Sequence, residues 1–202
     1  TLAIAAGAAQ AAPDGATIFV DLCASCHAET RLGGTGPALI PESLGRLTGE
    51  KLEAVIAEGR AMTQMPAFKA TLSAEEIAAV AAYVATPLSA PPIWGQAEIE
   101  ATRALNSYEV AQAPVFDADP MNITLVVETG DSHISVLNGD TFAVLDRFDT
   151  PFAVHGGPKF SPDGRFVFVM SRDGWVQKYD IWSLAEVGRV RAGLNSRNIA
   201  IS

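Results

Sequence analysis

Cys23-Ala24-Ser25-Cys26-His27 is the stretch that decides how this chain is read. Two cysteines with two residues between them, followed directly by histidine, is the spacing that attaches a c-type haem. The two thiols add to the two vinyl groups of one porphyrin edge, and the short turn leaves His27 beneath the iron as axial ligand. Competing readings are weaker. A thioredoxin-like redox pair wants a βαβ pattern around it, and none surrounds this pentapeptide. A zinc site needs two more cysteine or histidine ligands nearby, yet the chain has 2 cysteines and 3 histidines, of which His27 is the first. A structural disulfide between Cys23 and Cys26 stays open as the alternative.

The 202 residues leave room for one large domain or two small ones, and 49% hydrophobic content is enough to bury a core. With 14 Lys+Arg against 23 Asp+Glu the net charge is −9. That balance argues against nucleic acid and anionic membranes as partners, because both require basic patches. Residues 1–12 read as the remainder of a signal peptide, an apolar run ending in the small-x-small cleavage pattern Ala9-Gln10-Ala11. The initiating Met and a basic leader region are missing, so the sequence is expected to begin inside the leader; an alanine-rich linker is the other reading. No other stretch is long enough to span a membrane. Covalent haem attachment takes place on the oxidising side of the bacterial membrane, so the expected location is the periplasm.

Residues 13–88 carry helical periodicity. Asp14 is placed to cap a short helix running into the haem motif, and Thr48 to cap one whose buried face holds Leu52, Val55 and Ile56. Gly59 is expected to end that helix. Ser73 and Glu76 form a capping box for the next, where Ile77, Val80, Ala81 and Val84 share a face and Pro87 is the stop. Two loops complete this part: Arg31-Leu32-Gly33-Gly34-Thr35-Gly36-Pro37, whose glycines admit close approach to a flat cofactor, and Met62-Thr63-Gln64-Met65-Pro66-Ala67-Phe68. Together these features resemble an all-α class I cytochrome c over its full length. The resemblance implies that the Pro37 carbonyl takes the Nδ1 proton of His27, fixing the ring and its basicity. It also implies a methionine as second axial ligand, a thioether that raises the reduction potential. Met65 is the expected ligand because it directly precedes Pro66. Met62 is the runner-up, and a methionine filling a core gap is the bland alternative.

Residues 89–113 read as a linker, opened by the proline-rich break around Pro87, Pro91 and Pro92, with a short helix over Ile99 to Asn106. After Pro114 the period changes to that of strands. Ile123 to Val127, His133 to Leu137 and Phe142 to Leu145 are β-type runs, separated by the hairpin signals Gly130-Asp131 and Asn138-Gly139-Asp140. Phe166 to Val169, Trp175 to Tyr179 and Ala185 to Val187 repeat the order. Aligning Val126 with Val169 gives a shift of 43, and Ala143 with Ala185 a shift of 42. A four-strand repeat of about 40–45 residues is the period of a β-propeller blade. A propeller closes with roughly four to eight blades, whereas residues 114–202 hold about two, which would leave long unpaired edges. The expectation is the incomplete N-terminal part of a propeller within a longer protein.

Thr150-Pro151-Phe152-Ala153-Val154-His155-Gly156-Gly157, Gly164-Arg165 and Ser171-Arg172-Asp173-Gly174, behind a Pro92/Trp94 linker, make the resemblance specific. The chain resembles the haem d₁-binding cytochrome family, whose branches are cytochrome cd₁ nitrite reductases and the dihydro-haem d₁ dehydrogenases of haem d₁ biosynthesis. That family carries an eight-bladed propeller. Matched by position, the resemblance implies His155 as the proximal ligand of haem d₁ iron, and Arg172 and Arg197 as grips on its carboxylates. Planar guanidinium forks suit carboxylates. An ordinary loop histidine and surface salt bridges are the alternatives for these three. Lys159 is a weaker carboxylate partner; His133 reads as structural, and Trp175 and Tyr179 as packing. Gly156-Gly157-Pro158-Lys159-Phe160 departs from the reductase pattern and leans toward the dehydrogenase branch.

The resemblance implies two cofactors: covalent haem c, and haem d₁ or its dihydro precursor. It implies oxidation of a propionate side chain to an acrylate, with electrons leaving through haem c to a soluble periplasmic electron-transfer protein. The alternatives are nitrite reduction to nitric oxide and a non-catalytic electron-transfer or d₁ carrier. The catalytic base is not among the residues singled out.

Overall fold

The computed structural model describes residues 12–196 and 198–201, so the leader reading of residues 1–12 lies almost wholly outside the described residues. The chain is multi-domain, a helical part followed by antiparallel sheets. Asp14 opens α1 (Gly15–Leu22) by accepting from the Ala16 amide at 3.1 Å and the Thr17 hydroxyl at 2.6 Å. The turn of helix α2 (Ala24–His27) follows at once, and α3 (Pro41–Leu44) begins on a proline whose missing N–H costs nothing there. α4 (Glu50–Glu58) is capped by Gly49 rather than Thr48. The chain enters that helix at φ 54°, a left-handed conformation that a β-branched threonine resists.

α5 (Ala74–Ala85) has the expected capping box: the Glu76 amide donates to Ser73 Oγ and the Ser73 amide to Glu76 Oε2. Its buried face, Ile77, Val80, Ala81 and Val84, meets Phe19 of α1 and Leu52 and Ile56 of α4. Phe19 is fully buried, with its ring 5.4 Å from that of Tyr83. Burial of a side chain of this size stabilises the fold by roughly 2–3 kcal/mol. No helix among the described residues is long and apolar enough to cross a membrane.

The stretch after Pro92 differs from the sequence expectation. The helix is α6 (Gln96–Ala101), ending five residues before Asn106, and the chain then extends into β1 (Ala104–Leu105). β1 pairs with β8 (Ala185–Arg191), on the outer edge of a sheet ordered β1-β8-β7-β6-β5. The other members are β5 (Lys159–Phe160), β6 (Phe166–Met170) and β7 (Trp175–Asp180). The first sheet has three strands, β2 (Ile123–Glu128), β3 (His133–Asn138) and β4 (Val144–Asp149), rather than four.

The repeat is real, and of its two alignments the shift of 42 holds while the shift of 43 needs correction. Val126 is 42% exposed while Val169 is 1% exposed, so a shift of 43 sets an outward residue against an inward one. Leu125 and Val127 are the side chains of β2 that pack with Val167 and Val169, and a one-residue slip reverses faces. The β-bulges settle the spacing, at Val136/Leu137 in the first sheet and Lys178/Tyr179 in the second. Phe148 and Tyr179 stack between the sheets at 4.0 Å, and the Tyr179 hydroxyl donates to Asp146. Trp175 packs on the same core, so both aromatics are packing residues.

Residues 102–115 lie along the second sheet rather than spanning open space. Arg165 donates to the Ala111 carbonyl at 3.1 Å and to Asp180 at 2.8 Å, and Tyr108 donates to Asp180 at 3.2 Å. Asp180 has no exposed surface.

Candidate functional site

The pentapeptide forms a single tight unit. The Cys26 and His27 amides both donate to the Cys23 carbonyl, at 3.2 and 3.0 Å, which sets the two thiols and the imidazole on successive positions of one turn. Cys26 is exposed, and Cys23 is half-buried against the helical core. Burial, followed by the neighbouring Cys26, raises the Cys23 thiol above its ordinary value. His27 is 6% exposed. Its Nδ1 lies 2.7 Å from the Pro37 carbonyl, and burial lowers its pKa despite that bond. A neutral imidazole donating through Nδ1 keeps Nε2 as the basic nitrogen, the form a metal ligand needs.

Gly36 packs directly on the ring. A Cβ there would stand 2.8 Å from His27 Cε1 and 3.0 Å from Nδ1, so only glycine lets the loop close on the histidine. The loop is further fixed by Arg31, buried and donating to the Tyr83 and Thr86 carbonyls at 2.7 and 2.9 Å, at the end of α5.

The methionine loop folds back onto α4. The Arg60 amide donates to the Met65 carbonyl at 3.1 Å, and the Phe68 amide to the Ile56 carbonyl at 3.1 Å. Gly59, at φ 69°, makes this possible: a Cβ would stand 2.6 Å from the Met65 carbonyl oxygen. Met65 is half-buried, whereas Met62 is 83% exposed with its carbonyl taken by the Thr129 hydroxyl at 2.8 Å. A cysteine pair, a histidine already oriented through Nδ1, and a glycine-lined face suit a covalently held haem.

In the sheet part, Val154 bridges Ser171 and the His155 amide donates to the Met170 carbonyl at 2.8 Å. The segments carrying His155 and Arg172 therefore run side by side. Both residues are exposed, and Lys159 is half-buried. Arg172 makes no ion pair among the described residues. Arg197 lies outside the described residues. His133 is held at Nε2 by Asp149, 2.6 Å away, and at Nδ1 by the Asp131 carbonyl at 2.9 Å, which is a structural role.

Contacts between the two parts were not legible as a site. The Ala153 amide donates to the Thr35 carbonyl at 3.3 Å, and the Ala38 amide to Asp173 Oδ1 at 3.0 Å. Arg191, buried, donates to the carbonyls of Asp173 at 2.9 Å, Gly33 at 3.4 Å, and Leu32. A single arginine in a β-run carries no sequence signal for this.

Both parts are similar to known proteins. Residues 118–202 match the family described as Cytochrome D1 heme domain. Residues 10–84 match the family described as Cytochrome C oxidase, cbb3-type, subunit III. The chain is 44% identical over 191 residues to a dihydro-heme d1 dehydrogenase of Pseudomonas aeruginosa, covering 93% of this chain and 38% of that protein. It is 25% identical over 212 residues to a nitrite reductase of Stutzerimonas stutzeri, covering 92% of this chain and 36% of that protein. The solved structure of dihydro-heme d1 dehydrogenase NirN in complex with DHE superposes with a TM-score of 0.80 at 44% identity, covering 93% of this chain and 41% of that one. The chain thus spans about two fifths of the length of these relatives.

Proposed function

We propose that this chain, a relative of the haem d₁-binding cytochromes, carries the haem c domain and the first propeller blades of a periplasmic dihydro-haem d₁ dehydrogenase. Residues 13–88 make up the haem domain, 89–113 a connection that lends the edge strand β1 to the second sheet, and 114–202 the blades. The observation that carries the reading is 44% identity over 93% of the chain to a dihydro-heme d1 dehydrogenase, on a chain that also holds the Cys23-Cys26-His27 motif.

Cys23 and Cys26 would hold one haem by thioether bonds, with His27 and Met65 as the side chains that would ligate its iron. His155 would ligate the iron of the second tetrapyrrole, and Arg172 and Arg197 would pair with its carboxylates. When bound, the second group supplies the oxidisable propionate and the first a one-electron relay. The net reaction converts a CH₂–CH₂ unit of the propionate into CH=CH, releasing two protons and two electrons. The electrons pass singly to a soluble periplasmic acceptor protein. Pro37 keeps the Nδ1 proton of His27 in place throughout.

Nitrite reduction is the second reading, supported by the 25% identity to a nitrite reductase. Incubating the full-length protein with dihydro-haem d₁ and a one-electron oxidant separates the two. The expected product is lighter by two hydrogens in mass spectrometry. Unchanged tetrapyrrole, with nitric oxide released once nitrite and a donor are supplied, reverses the assignment.

The ligand assignment makes its own prediction. Met65→Ala is expected to lower the haem c midpoint potential, because a thioether ligand raises it, while Met62→Ala leaves it unchanged. The opposite pattern in a redox titration assigns Met62.

A further inference from the structure

The loop over the His27 ring is incomplete within the helical part. The Gly33 and Gly36 amides are satisfied locally, by the carbonyls of His27 at 3.0 Å and Cys26 at 2.9 Å. The Leu32 and Gly33 carbonyls and the Ala38 amide find their partners across the boundary, on Arg191 and Asp173. Both are buried, at 5% and 3% exposed. Ala38 directly follows Pro37, whose carbonyl holds His27 at 2.7 Å. One chain of bonds thus runs from the sheet part to the imidazole: Asp173 to Ala38, along one residue to Pro37, and from Pro37 to His27.

Arg191 is built for this place. Its guanidinium lies 4.8 Å over the Trp94 ring, and Trp94 Nε1 donates to the Arg191 carbonyl at 3.2 Å. Its Nε, Nη1 and Nη2 all point to backbone carbonyls, and no carboxylate oxygen lies within ion-pair distance of it among the described residues. A fork of planar donors serves three carbonyls in fixed directions, a task that a lysine with a single nitrogen does not perform.

We propose that Asp173 and Arg191 are positioning residues for haem c: they hold residues 32–38 from the sheet part and thereby fix the hydrogen bond that orients His27. The proposal rests on the haem c assignment of Cys23, Cys26 and His27. Removing the Asp173 acceptor leaves the Ala38 amide buried and unpaired, and the loop relieves this by opening locally. The His27 Nδ1 proton then exchanges with solvent faster.

The test uses the haem-loaded full-length protein, reduced, with isotope-labelled histidine and NMR detection of the His27 Nδ1 proton. Asp173→Ala is expected to speed its exchange by about tenfold or more, as a lost buried hydrogen bond implies. Arg191→Lys is expected to do the same, and Asp173→Asn, which keeps an oxygen to accept from Ala38, to retain the wild-type rate. Unchanged exchange in Arg191→Lys and in any folded Asp173→Ala overturns the proposal and reduces the pair to a contact between parts. Should Asp173→Ala not fold, Arg191→Lys decides alone. Wild-type protein that carries no covalent haem in the same preparation refutes the haem assignment instead, so the two failures are distinguishable.

Discussion

Replacing Cys23 and Cys26 together by serine is expected to abolish covalent haem. The mass of the denatured variant should match the bare polypeptide, and haem staining of the denatured band should disappear. Serine keeps the size and turn propensity of cysteine but forms no thioether. The helical core is made by Phe19, Val80, Val84 and their neighbours, so the polypeptide keeps its core residues while losing its cofactor. Single replacements should differ in kind. Either remaining cysteine still makes one thioether, so each single variant should carry haem at reduced occupancy, which denaturation does not release. Haem that stays covalently bound in the double variant would place the attachment elsewhere.

Asp180→Ala is expected to cost about 1–3 kcal/mol of stability, the range for losing the acceptor of charged hydrogen bonds at a buried position. Asp180 has no exposed surface, and Arg165 faces it through Nη2 at 2.8 Å and Nε at 3.2 Å. The same carboxylate accepts from Tyr108 and from the Ser183 hydroxyl at 3.0 Å. Alanine therefore leaves the guanidinium without its carboxylate and removes the Tyr108 bond, while the amides of Asn106 and Val115 keep residues 106–115 on the sheet through the Val187 and Trp182 carbonyls. Burial acts to raise the Asp180 pKa, but the bonds from Arg165 and Ser183 outweigh it and hold the carboxyl below its ordinary value. A depressed carboxylate contributes stability above its unfolded pKa, and loses it as pH falls through the folded value. The variant should accordingly fall to a lower denaturation midpoint at neutral pH and differ less from wild type at strongly acidic pH. A stability within about 0.5 kcal/mol of wild type would show that Arg165 is held mainly by the Ala111 carbonyl and by the Phe166 and Trp182 rings, over which its guanidinium lies at 5.3 and 5.0 Å.

The features legible in the sequence are those fixed by neighbours in the chain. Cys23-Ala24-Ser25-Cys26-His27, the Ser73/Glu76 capping box and the Asp14 cap depend on residues within one or two turns. The strand runs were visible through their alternation, and the blade period through its repetition. What the sequence concealed depends on partners far away. β1 exists because Ala104 and Leu105 meet Arg189 and Gly188 of β8, and two residues carry no pattern of their own. Of the two blade shifts, 42 between Ala143 and Ala185 agrees with the bulges, whereas 43 is one residue too long because Val126 and Val169 look alike on paper and face opposite ways in the fold. Thr48 reads as the cap because hydroxyl side chains dominate that position, whereas in the fold Gly49 occupies it and the backbone turn decides. Asp173 and Arg191 were invisible as a unit: they lie among residues read as a blade, and their partners are backbone atoms of a loop more than a hundred residues earlier.

The most direct test of the central claim uses full-length protein with haem c oxidised, under anaerobic conditions and without added reductant. Dihydro-haem d₁ is added, and the haem c α-band is followed together with the tetrapyrrole absorption. The account predicts that haem c becomes reduced while the tetrapyrrole spectrum shifts to that of the acrylate form. A haem c that stays oxidised while dihydro-haem d₁ remains bound and unchanged would contradict it.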